Sequence, residues 1–412
     1  MPPIWEIVRA YLETIGYFLR NPIFWVVLAL IGLQYRRSEK MERNFLGRAR
    51  QPLLGRVLLA LVFGLVGGLI GSLLLMGVWI TISIQSTRDV LLGSLALALI
   101  NMRFICFAYS GGLLSLVSLI FGWPQLDVAS LMALVAVLHC VESVLMLLSG
   151  HLNAFPVTVR QPSGRLVGGY SMQMFWPLPL LALVFVPELS GVVTGDGIAM
   201  PHWWPLFRPP GAENLADLTL YMLPLLAGLG YGDLAITMPP KEKARHSAVR
   251  LLAYSGILLY LAWLGSRVPA LLPLAAVFAP FGHELLIVIA NQRQQVGTPL
   301  YAHAGPGLKI MEVLPGGLAE QAGLQPFDII LTANGELLHS HQQLYALVQS
   351  QPQVVLSVRR GPYTSIVPLV LPLEGGANQL GILLVPDQEA GSYVETRFKS
   401  PLQPLLEWWQ RG

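Results

Sequence analysis

Apolar residues fill the first 290 positions in long blocks with short polar or Pro/Gly-rich joints, whereas the last third alternates in short stretches. A helix that crosses a bilayer needs about 20 mostly apolar residues. Blocks near 15–34, 57–80, 86–100, 104–121, 128–149, 172–190, 216–236, 251–268 and 270–290 meet or approach that length. They predict an α-helical polytopic membrane domain of about eight or nine spans. Residues 3–20 read as an interfacial amphipathic helix, separated from the first span by Pro22. The chain therefore divides into 1–35 (this helix and the first span), a basic loop 36–56 and a polytopic domain 57–290. The second span carries GLVGGLIGS at 64–72, with Gly64 and Gly68, and Gly67 and Gly71, four apart. That spacing lets two helices approach closely, within one chain or across a dimer.

Composition agrees with the pattern. Hydrophobic residues make up 54% of the 412 and charged residues only 12%, against about 25% charged in a soluble domain. A net charge of +3 gives no reason to expect nucleic acid. Cys106 and Cys140 both lie in apolar blocks, so neither a disulfide framework nor a zinc-type Cys spacing is expected. Glu6 and Glu13 interrupt the first apolar stretch, so no cleavable signal is expected either.

Basic residues in short loops orient the spans. Arg36, Arg37, Lys40, Arg43, Arg48, Arg50 and Arg56 crowd the first loop; Arg103, then Arg160 and Arg165, then Lys241, Lys243, Arg245 and Arg250 follow at alternate loops. These positions, and everything after Arg293, are expected on the cytoplasmic side. A re-entrant hairpin over 3–35 would put the N-terminus inside, and a ninth span would put it outside.

The last third reads as strands and turns. In GLKIMEVLPGGLAEQAGLQPFDIILTANGELL, residues 307–338, Leu308, Ile310 and Val313 can form an inward-facing strand. Pro315-Gly316 makes a turn, Leu318–Ala322 a short helix with Gly323 as its cap, Ile329–Leu331 a buried strand and Asn334-Gly335 a tight turn. Ser340 can cap a helix running to about Gln349, with Leu344, Leu347 and Val348 on its apolar face, followed by strands 353–359 and 363–371. This run closely resembles the bacterial PDZ domain, a small α+β fold of circularly permuted type, expected here over 300–388. Phe327 stands where that family usually has Gly.

A PDZ domain takes an extended peptide as an added strand beside a helix. Two loops compete for a terminal carboxylate: Gly305–Leu308 and Gln379–Ile382. The resemblance to permuted, membrane-tethered relatives favours the second. The expected binding residues are Leu380, Gly381, Ile382 and Leu383 on the loop and strand, with Leu344 and Val348 on the helix. The tail 389–412, ending LLEWWQRG, is expected to be an amphipathic segment.

Two polar clusters bear on catalysis. A site-2-type membrane metalloprotease needs His-Glu-x-x-His, because residues four apart share a helix face and both reach the zinc. GHELLIVIAN at 282–291 has Ile287 in the fifth position, so His283 and Glu284 are read as a polar pair facing the cytoplasmic interface. Inside the fifth span His139 and Glu142 lie three apart, and they could pair with each other or with Arg103. No catalytic residue, metal or cofactor is expected. His139 and Glu142 leave an ion-coupled transporter as an alternative, and a PDZ regulator of a membrane protease or signalling protein is another.

Beyond the PDZ domain, YFLRNPIFWVVLALIGLQYRR, INMRFICFAYSGGLLSL, HCVESVLMLLSGHLNAFPV and GGYSMQMFWPLP occur in the order found in the MinJ family of bacterial cell-division topological determinants, which the chain resembles over most of its length. The resemblance implies a non-enzymatic adaptor in the bacterial cytoplasmic membrane, with its PDZ domain cytoplasmic, at septa and poles. Its implied partners are a DivIVA-type scaffold, a MinD-type ATPase and divisome components.

Overall fold

The structure is a computed structural model. It describes residues 4–46, 49–78, 80–185, 206–207, 220–302, 305–360, 365–372, 380–388 and 393–395. The long loop after 185 and most of the tail 389–412 lie outside them, so the amphipathic tail is not described beyond 393–395.

Helix α1 (Ile4–Arg20) meets α2 (Pro22–Leu46) at a bend of 78°. Asn21 interrupts the helical run and Pro22 opens the next, where its missing N–H costs nothing. One face of α1 buries Ile7, Tyr11 and Phe18 while Trp5 and Leu12 stay exposed, in keeping with an amphipathic reading. The basic loop expected at 36–56 is in large part helix, because α2 continues to Leu46 with Glu39 and Arg43 paired four apart. Two of its charges are structural: Glu42 and Arg56 form a buried ion pair joining α2 to α3 (Leu53–Val78).

Helices α4 (Ile84–Ile100), α5 (Phe107–Phe121), α6 (Val128–Ser149), α7 (Pro240–Arg267) and α8 (Leu272–Val296) complete the helical part. Among the described residues four helices are long and apolar enough to cross a membrane, or five if the bent α1–α2 pair is one span. The described parts of the blocks at 172–190 and 216–236 are not helices. They form a long antiparallel hairpin, β3 (Leu166–Phe185) against β4 (Leu220–Ala235), with Tyr170 opposite Ala235 and Phe185 opposite Leu220. β2 (Phe155–Arg160) extends it beside 166–171, β1 (Thr81–Ile82) runs parallel to 183–184, and β11 (Val394–Glu395) runs parallel to β2.

The middle of β3 explains the difference. Its other edge faces α3 rather than a strand, and each backbone donor turned that way is accounted for. Phe175 N–H donates to the Tyr35 hydroxyl (3.1 Å) and Leu181 N–H to the Ser72 hydroxyl (2.9 Å), while Pro177 and Pro179 between them have none. Their carbonyls point at α3, where a Cβ on Gly64 would stand 2.1 Å from Pro177 O and one on Gly68 2.1 Å from Pro179 O. The Gly-x-x-x-Gly seam thus admits a strand rather than a second helix. Gly67 and Gly71 lie on the neighbouring face, against Leu145 of α6 and Leu180.

The C-terminal third folds as expected: β5 (Leu308–Val313), α9 (Leu318–Gln321), β6 (Ile329–Ala333), β7 (Glu336–Leu337), α10 (His341–Ser350), β8 (Gln353–Arg359), β9 (Ile366–Pro372) and β10 (Ile382–Leu384). Sheet order is β10-β5-β6-β8-β9, with β7 hairpinned to β6 through Asn334-Gly335. Both turn residues are left-handed (φ +52° and +84°), the geometry that makes Asn-Gly a hairpin signal. Ser340 caps α10 by accepting from Gln343 N–H at 3.2 Å.

Candidate functional site

The sheet and α10 enclose one core in which Leu344 and Val348 pack with Leu380, Ile382 and Leu384. β5 is flanked on both sides, by β6 and β10, so no peptide strand can join it. β10 pairs with β5 alone among the described strands, and its inward side chains share a core with α10. Of the loop before β10, Gln379 lies outside the described residues, while Leu380 and Gly381 are held firmly. Gly381 sits at φ +67°, its carbonyl accepts Leu314 N–H (2.7 Å), and the Leu380 carbonyl accepts Ala319 N–H (3.0 Å). A Cβ on Gly381 would meet Gly317 Cα at 2.7 Å, so only glycine fits.

Of the six expected binding residues, Leu380, Ile382, Leu344 and Val348 are core side chains. Leu383 turns the other way and packs, with Val385, against the helical assembly. The strand is thus shared between two cores by simple alternation. Sequence reasoning missed His341, the first residue of α10. Its Nε2 lies 2.9 Å from the Val385 carbonyl and 3.4 Å from Asp387, pinning the helix start to the end of β10. Only its place after a capping Ser hinted at a role.

The domain is docked on the hairpin base. Gly168 N–H donates to Tyr301 O (2.7 Å), Met311 fills the space left by Gly168, Arg50 pairs with Glu312, and the Gln388 amide bonds both backbone groups of Leu166 at 3.0 Å. Phe327 takes the glycine-type backbone at φ +74°. Its ring stacks on Tyr301 at 4.9 Å and lies 5.2 Å from the Lys309 ammonium, whose pKa burial lowers. Aromatic and cation–π contacts of about 0.5–1.5 kcal/mol each offset the strain of a left-handed residue.

The polar residues of the apolar helices assemble differently from expectation. Arg103 pairs with Glu284 of α8, which also accepts from the Tyr109 hydroxyl at 2.6 Å. His283 and Glu284 therefore face inward, not an interface, and Arg103, in the short connection between α4 and α5, turns its charge to Glu284. Cys106 meets His139 and His283, which lie 33 and 177 residues further along the chain. Glu142 is not part of that group.

Comparison with known proteins places a PDZ domain at residues 309–360. The chain is 26% identical over 392 residues to a protein of Lacticaseibacillus paracasei named "Probable cell division topological determinant MinJ", covering 90% of this chain and 98% of that one. A protein of the same name from Lacticaseibacillus casei matches to the same extent.

Proposed function

We propose that this chain, MinJ-like over nine tenths of its length and carrying a C-terminal PDZ domain, is a membrane-embedded, non-enzymatic adaptor that helps position the cell-division machinery. The observation that carries this reading is the similarity along nine tenths of the chain, through helices and PDZ domain alike. The membrane assignment rests on the four or five apolar helices. The cytoplasmic placement of the PDZ domain rests on its contact with the basic side of the assembly, where Arg50 meets Glu312.

In this reading the PDZ domain takes a peptide or protein C-terminus along the outer edge of β10, with Gly381 at the turn that receives it. The domain's partners are a DivIVA-type scaffold on one side and a MinD-type ATPase with divisome components on the other, and the protein sits at septa and poles. The test is the position of a functional fluorescent fusion in its own host. Enrichment at septa and new poles, lost when 300–388 is deleted, is the expected result. Uniform membrane signal with normal division after gene deletion overturns the reading.

A further inference from the structure

We propose that Cys106, His139 and His283 form a binding site for a borderline-soft divalent metal ion, with zinc(II) the best match. The three come from three elements. Cys106 stands at the N-cap of α5, His139 lies in α6 and His283 in α8. One donor atom from each lies within 4.8 Å of the other two. The Cys106 sulfur is 3.2 Å from His139 Nε2 and 3.9 Å from His283 Nε2. Zinc–sulfur and zinc–nitrogen bonds of about 2.3 and 2.0 Å put tetrahedral ligands roughly 3.5 Å apart, so small side-chain shifts close the set on an ion.

The protonation pattern suits a metal. His139 Nδ1 lies 2.7 Å from the Val135 carbonyl and donates to it, which leaves the Nε2 lone pair aimed at the sulfur. A ring oriented by a backbone carbonyl through its far nitrogen is the usual support for a metal-bound imidazole. His283 also turns Nε2 inward, and its Nδ1 is buried without a hydrogen-bond partner. A metal held at Nε2 would place the ring proton on Nδ1, the same tautomer that His139 already has. Two imidazole lone pairs converging on one thiol satisfy one S–H at most; a cation with the thiolate satisfies all three.

The surroundings set the site's limits. Glu284, next to His283, is neutralised by Arg103 and Tyr109, so it is neither a ligand nor a base. The rings of Tyr109 and Tyr254 stand 5.3 and 5.9 Å from that of His283 and wall it in. Three protein ligands leave one tetrahedral corner for water or a small exogenous ligand. Gly112 of α5 abuts Pro280 and the Ala276 carbonyl, and this close approach brings α8 near enough to α5 for His283 to reach Cys106. A metal here would bolt three helices together at one point.

The test uses the full chain purified in detergent, with zinc(II) and cobalt(II) as probes. The expected result is about one bound zinc per chain and a thiolate-to-cobalt charge-transfer band. Cys106→Ser should abolish the band, His139→Ala and His283→Ala should weaken binding about tenfold or more, and Cys140→Ser should change neither. Because the variants could fail to fold, wild-type protein provides a second readout. Zinc should slow maleimide labelling of Cys106 relative to Cys140, and a chelator should restore it. Zinc content no higher than in Cys106→Ser, no charge-transfer band, or a labelling rate at Cys106 indifferent to zinc overturns the proposal and leaves the trio as a packing contact.

Discussion

Two sheet edges in this molecule are handled in opposite ways. The edge of β3 that faces α3 lies in apolar surroundings, where an unmet N–H would cost about as much as a lost hydrogen bond. It is closed by subtraction and capping: Pro177 and Pro179 carry no donor, Tyr35 and Ser72 accept from their neighbours, and Gly64 and Gly68 give the carbonyls room. The outer edge of β10 has no such treatment. Its three residues include no proline, and His341 at the start of α10 is pinned to Val385 just beyond it. A sealed edge builds a scaffold; an edge left unsealed beside a helix is where a peptide can add.

The sealed edge should be the more fragile. Gly68→Leu places side-chain atoms where Pro179 O now lies, forcing α3 and β3 apart. We expect a loss above about 4 kcal/mol, seen as loss of monodisperse protein in detergent. Gly77→Leu, whose Cβ would meet nothing within 4 Å, should be nearly silent. Next comes Leu344→Ala, which hollows the PDZ core for about 2–5 kcal/mol and should unfold the 300–388 region early in a denaturant titration. Ser72→Ala leaves Leu181 N–H without its acceptor, for about 1–3 kcal/mol, readable as a drop in Tm. The smallest net change is Phe327→Gly. It relieves about 1–2 kcal/mol of backbone strain and forfeits a comparable stacking energy. PDZ stability should move by less than about 1 kcal/mol, while amide exchange at Tyr301 and Gly168 speeds up as the domain loosens from the hairpin. Equal fragility of Gly68→Leu and Gly77→Leu would break the comparison at its root.

The PDZ elements were legible because each rests on local chemistry. Asn334-Gly335 demands a left-handed turn, Ser340 supplies a cap, and the glycine-type position was visible at Phe327 before its φ was known. The apolar hairpin was not legible. Hydropathy measures the cost of leaving water, which is the same for a helix and a strand of equal composition. The paired prolines at 177 and 179 were the available signal against helix. The polar trio was equally hidden, since nothing in GHELL or VLHCVE points to a cysteine 33 residues before one and 177 before the other.

By itself, then, the sequence determined where apolar segments lie, that the last third is a PDZ domain, and which turns and caps shape it, because these depend on neighbours within a few residues. Only the tertiary structure decided that two apolar blocks pair as strands, that a glycine seam receives carbonyls instead of a helix, and that Arg103 serves Glu284 while His139 serves Cys106 and His283. Those outcomes depend on which distant backbone donor or charge finds its partner once water is excluded, and that partner is set by packing between elements, not by spacing along the chain.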